Sequence, residues 1–195
     1  MKVLIVVCNF DAQSFNHAIA NAIKEEYLKK GYNVLYHDLY HDLYEDNFNP
    51  VLLKEEYEET DISKIKDSYV VQCCQELQEA DRIVIIHPNW WGQPPALLKG
   101  WIDRVFRRGI AYKYSSQGKS IGLLKAEIAY IINTSNTPEE VEKQIYGDPL
   151  ENLWETCIFK MCGIEKVYRK PIRGIVKSDN AMREKWLVEV KEFIK

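Results

Sequence analysis

Three short stretches of this chain carry residues whose types and spacing could do chemistry. The first is "NFDAQSFN", residues 9–16. Ser14 stands where a helix begins, so the N–H groups of Phe15 and Asn16 face out of a helix N-terminus beside a hydroxyl. That arrangement suits an anion, a phosphate above all. The loop holds no lysine or arginine, which leaves dipoles and the hydroxyl to do the binding. The alternative is that Ser14 serves only as a helix cap. The second stretch is "HPNWWGQPP", 87–95, which sets Trp90 and Trp91 on a turn rather than in a core. The third is "NTSNTPEE", 133–140, rich in small polar side chains. Those side chains suit the rim of a flat heteroaromatic ring, with an indole of the second stretch as its apolar cover. A fourth feature is "AYKY", 111–114, where Tyr112 and Tyr114 are two apart and share one side of an extended segment. Ordinary half-buried aromatics are the alternative there.

These stretches must be positioned by regular elements. Residues 3–7 form a continuous apolar, β-branched run, the pattern of a strand buried on both faces of a parallel sheet. From Ser14 to Gly31 the apolar residues recur at helical spacing. Residues 32–38 read as a strand, 39–66 as irregular, 68–81 as a helix and 82–88 as another buried strand. A helix over 94–106 opens on prolines, which a first turn tolerates. Residues 126–135 read as a strand, 150–163 as a helix ended by Gly163, 164–176 as a fifth strand region and 179–194 as a closing helix. Alternating strands and helices predict a doubly wound α/β fold with right-handed crossovers. In such a fold, ligands sit beyond the carboxyl ends of the strands where strand order reverses. Loops 9–16, 88–93 and 133–138 would meet there. No linker interrupts the pattern, so residues 1–195 are expected to form one domain.

Composition narrows the function classes. A net charge of −3 gives no ground for a nucleic-acid partner. No apolar run approaches the roughly 18 residues of a membrane span. The N-terminal apolar run, 3–8, is too short for a signal-peptide core. Five scattered cysteines suit buried, reduced thiols in the cytoplasm. The Asn133–Ser135 glycosylation sequon has no role in that compartment. "GKS" at 118–120 lacks the glycine a phosphate-binding P-loop needs, since Lys113 stands in its place. No GxGxxG follows the first strand. His37 and His41 are helix-spaced but fall at a strand end with no third ligand, so no metal is expected. The "HDLYHDLY" doubling at 37–44 is too short for a repeat unit.

"HPNWWGQPPALLKGWIDRVF" followed by "AYKY" resembles the flavodoxin-like NAD(P)H:quinone oxidoreductases, the family of DT-diaphorase and its bacterial relatives. "SFN" is similar to the phosphate loop of that family and "DLYEDNFNP", 42–50, to its second-strand exit; the resemblance runs over about residues 1–176. It implies a flavodoxin-like five-stranded parallel sheet with helices on both faces. It further implies a tightly bound flavin, and two-electron, ping-pong transfer of hydride from NAD(P)H to a quinone or similar small aromatic acceptor. Carried over by position, Ser14, Phe15 and Asn16 would bind the flavin phosphate. Pro88, Asn89, Trp90, Trp91 and Gly92 would line the ring, largely through backbone groups. Thr134, Ser135 and Asn136 would hold its far edge. Tyr112 and Tyr114 would form part of the substrate pocket, reached from the other subunit of a homodimer.

The chain departs from the family at several places. Asn9 replaces a usual histidine, and the loop over 115–125 is short. "TSNTPEE" replaces a glycine-rich loop, with Glu140 near the place of a catalytic tyrosine and Tyr146 near that of a catalytic histidine. Tyr146 is therefore the expected donor to the charge that reduction places on the ring edge. FMN is the expected flavin, with FAD as the alternative. Two other functions fit parts of this pattern. One is a flavin-binding regulatory subunit like the ancillary proteins of potassium efflux systems, with little turnover. The other is a one-electron flavodoxin carrier, a type that is strongly acidic and lacks a tyrosine-lined pocket.

Overall fold

Strand β1 (Lys2–Val7) is central because nothing polar interrupts it: Val3 to Cys8 are fully buried. In the computed structural model, which describes residues 1–194, it pairs in parallel with β2 (Asn33–Asp38) on one side and β3 (Arg82–Pro88) on the other. Two further strands form a short antiparallel hairpin, β4 (Tyr112–Tyr114) and β5 (Ser120–Gly122). β6 (Ile128–Ser135) extends the main sheet beside β3, and β7 (Lys166–Arg173) closes it. The order is β2-β1-β3-β6-β7, five strands, as expected. The chain steps outward from β1 to β2 and then back across to β3. The crevice that strand-order reversal creates therefore opens between the loops after β1 and β3.

Alternation along β1 splits the core in two. Val3, Ile5 and Val7 face α1 (Phe15–Lys29), which presents Ile19, Ala20, Ile23 and Tyr27, and α7 (Asn180–Phe193), which presents Val190. Leu4 and Val6 belong to the opposite cluster. There α4 (Ser68–Glu79) supplies Val70, Cys74 and Leu77, and α5 (Ala96–Val105) supplies Leu98, Trp101 and Val105. Side chains on alternating sides of a strand, each met by a helix, produce the layered fold.

Three departures from the expected elements have physical causes. Residues 39–66 are not simply irregular. They hold α2 (Leu39–Glu45), α3 (Lys54–Glu58) and a 3-10 turn at Ile62–Lys64. Asp38 ends β2 and also caps α2 by accepting the His41 N–H. The rest of the segment is clamped by buried Arg104, which pairs with Glu56 at 2.5 Å and Asp67 at 2.8 Å and donates to the Asn49 carbonyl at 2.6 Å. The predicted helix over 150–163 begins as α6 (Pro149–Asn152) and widens to a π-helix over Leu153–Lys160. The hairpin places "GKS" at its turn end and at the start of β5. It rests against the main body at a backbone crossing, where a Cβ on Gly122 would lie 2.3 Å from the Cys162 carbonyl carbon.

All five cysteines are free. Four are buried, and Cys157 is exposed, contrary to the expectation of buried thiols throughout. His37 is buried in ion pairs with Asp42 at 3.3 Å and Glu76 at 2.5 Å, while His41 points to solvent. Among the described residues no group of three or more metal-binding side chains is assembled, and no helix is long and apolar enough to cross a membrane.

Candidate functional site

Ser14 is the N-cap of α1, and its hydroxyl oxygen accepts the His17 N–H at 3.4 Å. It also lies 2.9 Å from His17 Nδ1, and His17 Nε2 lies 2.9 Å from the Asp38 carboxylate. The hydrogen bond to Asp38 raises the His17 pKa above its ordinary value, and partial burial only partly opposes it. Asp38 is held below the usual carboxylate range: burial works against this, and the His17 bond wins. Phe15 turns its ring to Trp186, with centroids 5.8 Å apart, so only its backbone serves the loop. Asn16 is 2% exposed; its Oδ1 accepts from Asn9 Nδ2 at 2.8 Å and Thr134 Oγ1 at 3.2 Å.

The β3–α5 loop is fixed from both ends. His87 is fully buried, and burial pushes its pKa down to about 4. The neutral ring donates from Nδ1 to the Pro88 carbonyl at 2.8 Å and accepts the Trp154 indole N–H at 3.1 Å. Asn89 N–H donates to the Thr134 carbonyl at 2.7 Å, which ties this loop to the third. Trp90 and Gln93 then exchange two backbone hydrogen bonds of 3.0 Å around Trp91 and Gly92, whose φ angles are +57° and +74°. Such a turn favours Asn-Gly, because both central residues are left-handed. Trp91 occupies the first position with a fully exposed side chain (102%). A bulky residue there stores about 1 kcal/mol of strain, and no packing of its indole offsets it. Trp91→Asn is therefore expected to raise stability by about 1 kcal/mol, a gain of roughly 2–4 °C in Tm. An unchanged thermal melt would show the turn to be relaxed. Trp90 lies against Phe10, centroids 6.0 Å apart, and Phe10 meets Tyr40 edge-on, so aromatic cover spans the mouth of the crevice.

The third loop divides. Thr134 and Ser135 are buried, and Ser135 Oγ accepts the Thr137 N–H at 3.0 Å. Asn136 is exposed, and its Oδ1 accepts the Val176 N–H at 2.9 Å. Beyond it runs a π-helical turn, Val141–Ile145, the type of irregularity often found at functional sites. It buries Glu142 to 1% exposure. Glu142 accepts from Asn89 Nδ2 at 3.1 Å and pairs with Arg173 at 2.7 Å, while Arg169 lies 3.9 Å away. Arg169 in turn donates to Asn133 Oδ1 at 3.0 Å and pairs with Glu151 at 2.6 Å and with Asp148. A cavity of about 560 Å³ opens among Asn89, Trp91, Gly92, Thr137, Glu142 and Tyr146. Tyr146 is 59% exposed there. Tyr112 and Tyr114 contact each other at 5.6 Å but line a different cavity, of about 260 Å³, with Tyr57, Phe106 and Arg107. One chain thus brings Tyr146 to the crevice and leaves the tyrosine pair outside it.

Three buried asparagine atoms are without partners: Asn16 Nδ2, Asn89 Oδ1 and Asn133 Nδ2. They sit at the carboxyl-end loops of the sheet. An unpaired buried polar atom costs about 1–3 kcal/mol, so a ligand that reached these atoms would have to offer acceptors to the two amide nitrogens and a donor to the Asn89 oxygen. A flavin ring and its ribityl phosphate fit that requirement. His17, His87, Glu142 and Arg169 were not singled out in the sequence. Each takes its role from a partner distant in the chain.

The family model described as "Flavodoxin-like fold" matches residues 1–193. The chain belongs to the flavodoxin-like fold family. This flavodoxin-like chain is 35% identical, over 156 residues, to an uncharacterized NAD(P)H oxidoreductase of Haemophilus influenzae, covering 80% of this chain and 74% of that one. The NAD(P)H:quinone oxidoreductase from Methanothermobacter marburgensis superposes with a TM-score of 0.82 at 25% identity, over 98% of this chain and 94% of that one. An FMN-dependent NADH-azoreductase from Bacillus anthracis, solved in complex with FMN, shares the fold at 20% identity (TM-score 0.77, 98% and 96% covered).

Proposed function

We propose that this protein is a flavin-dependent NAD(P)H oxidoreductase that reduces a quinone or similar small aromatic acceptor by a two-electron, ping-pong route. The observation that carries the reading is that the three loops are hydrogen-bonded to one another at the carboxyl ends of the strands, Thr134 Oγ1 to Asn16 Oδ1 and Asn89 N–H to the Thr134 carbonyl, with an orphaned asparagine atom at or beside each. FMN is the preferred flavin, with FAD as the alternative. A flavin bound there would supply the chemistry of accepting and donating hydride between NAD(P)H and the acceptor.

The chain's own residues bind and orient. Ser14, with the backbone N–H groups of Phe15 and Asn16, takes the phosphate. Pro88, Asn89, Trp90, Trp91 and Gly92 border the ring, and the Trp90–Phe10 pair keeps water from one side of the mouth. Thr134 and Ser135 hold the far edge, and Asn136 braces that loop through Val176. Tyr112 and Tyr114 complete the acceptor pocket across a homodimer, since one chain leaves them outside the crevice. Five free cysteines favour a reducing, cytoplasmic setting. The ancillary-subunit alternative has no specific observation in its favour.

The test is direct. Purified protein should be yellow and should oxidise NADH or NADPH with menadione as acceptor. A colourless protein that takes up neither FMN nor FAD would sink the proposal. Tyr146 lines the same cavity as Asn89 and Gly92 and offers a phenol to the charge that builds on the ring edge. A preorganised donor contributes about 2.7–4 kcal/mol in closed sites, and an edge this open to water should give about 1–2 kcal/mol. Tyr146→Phe should therefore slow flavin reduction by about tenfold while flavin stays bound. A wild-type rate of absorbance bleaching would leave Tyr146 a packing residue of its turn.

A further inference from the structure

A phosphate monoester is a dianion near neutral pH, with a second pKa of about 6. The β1–α1 loop has neither lysine nor arginine to meet that charge. His17, in the first turn of α1, is the residue placed to do so. Its Nε2 faces the Asp38 carboxylate at 2.9 Å, a pure acceptor, so Nε2 carries a proton. The state of Nδ1, 2.9 Å from Ser14 Oγ, then decides what the serine can do. With a proton on Nδ1, the imidazolium donates to Ser14 Oγ, which already accepts the His17 backbone N–H. Both lone pairs of the hydroxyl are then used, and its own proton is left to donate elsewhere. Without that proton, Nδ1 is the acceptor and the hydroxyl proton turns inward. Asn16 Nδ2, buried and unpartnered in the same turn, independently marks a missing acceptor there.

We propose that His17, clamped between Ser14 and Asp38, is the cation of this loop and directs the Ser14 hydroxyl proton to a phosphate monoester, so that phosphorylated ligands bind more weakly as the imidazolium loses its proton. The inference rests on the flavin reading for its ligand, FMN. The groups around His17 act in the required direction. Asp38 from the end of β2 and Asp11 from the loop both favour the charged ring, and burial opposes them less strongly. Tyr40, His41 and Tyr44 of α2 line the same small cavity as His17, together with Asn9 and Phe10. His41 is the one other group of that set able to become positive. The sign follows from linkage. The proton is held below the raised pKa of His17, and binding should weaken as pH rises through it, by up to tenfold per pH unit for one proton.

The experiment measures FMN and riboflavin binding to the full chain by flavin fluorescence from pH 7 to 9.5. Riboflavin shares the ring and lacks the phosphate, so the ratio of affinities isolates the loop. The ratio should fall as pH rises through the His17 pKa, by up to tenfold per pH unit. Asp38→Asn keeps an oxygen to cap α2 and removes the counter-charge, so the fall should move to lower pH. Side-chain ¹⁵N spectra over the same range should show His17 Nδ1 losing its proton with the same midpoint as the fall in the ratio. A constant ratio, an unmoved midpoint in Asp38→Asn, or an Nδ1 midpoint that does not coincide with that of the ratio would each overturn the inference. If no flavin binds at all, the flavin reading falls. Inorganic phosphate then serves as the probe: movement of the His17 signals upholds the loop assignment, and silence overturns it too.

Discussion

Arg169→Met should lower the free energy of unfolding by about 3–5 kcal/mol. The arginine side chain is 3% exposed and sits among Glu142, Asp148 and Glu151. Methionine fills much of the same space, so the loss is electrostatic rather than a cavity. Glu142, with 2% of its side chain exposed, would keep Arg173 but lose its second cation. Asp148, largely buried, would keep none of the pairing it has. Asn133 Oδ1 would become an orphan. Removing one member of a buried ion pair costs this much because the charge left behind has nowhere to go. Denaturant unfolding with an unchanged slope checks it. A loss under about 1 kcal/mol would mean that water reaches the network and screens it.

Ser14→Ala should weaken FMN binding by about tenfold to a hundredfold and change riboflavin binding far less. A hydrogen bond to a charged group contributes about 1.5–3 kcal/mol. The substitution also removes a helix cap, which costs only about 1 kcal/mol, so the fold should persist. The gap between the wild type and the variant should close at high pH, where the hydroxyl of the wild type turns to His17. Equal FMN affinity in the two proteins at pH 7 would place the phosphate elsewhere.

The sheet was legible because its strands are buried on both faces. Residues 3–7 and 83–86 are apolar without alternation, the pattern of burial on both sides. The loops at their ends were legible too, since Ser14, Trp90 and Trp91 sit one step beyond elements whose ends the pattern marks. What escaped were contacts between distant residues. Glu142 lies in "PEEVEKQ", which reads as a solvated charged turn until Arg173 and Arg169 are brought to it by β7. His17 looks like one polar residue on a helix until Asp38 arrives from β2. The order hidden in 39–66 depends on Arg104, whose carboxylate partners precede it by a long stretch of chain. Local pattern carries periodicity, whereas ion-pair partners are set by topology.

The crossing at Gly122 has a bearing on how such a protein changes over time. A Cβ there would strike the main chain of Cys162 and Gly163, both at 2.3 Å, so the hairpin is seated by backbone against backbone. That joint depends on no side chain beyond the missing ones of two glycines, Gly122 and the left-handed Gly163. The positions it carries, Tyr112, Lys113, Tyr114, Ser120 and Ile121, are half-buried or exposed. On the proposed reading of Tyr112 and Tyr114 as part of the acceptor pocket, selection for a new acceptor can rewrite this face while its mounting stays in place. A library randomised at these five positions with Gly122 kept should remain folded, whereas alanine at 122 should unseat the arm and every specificity built on it.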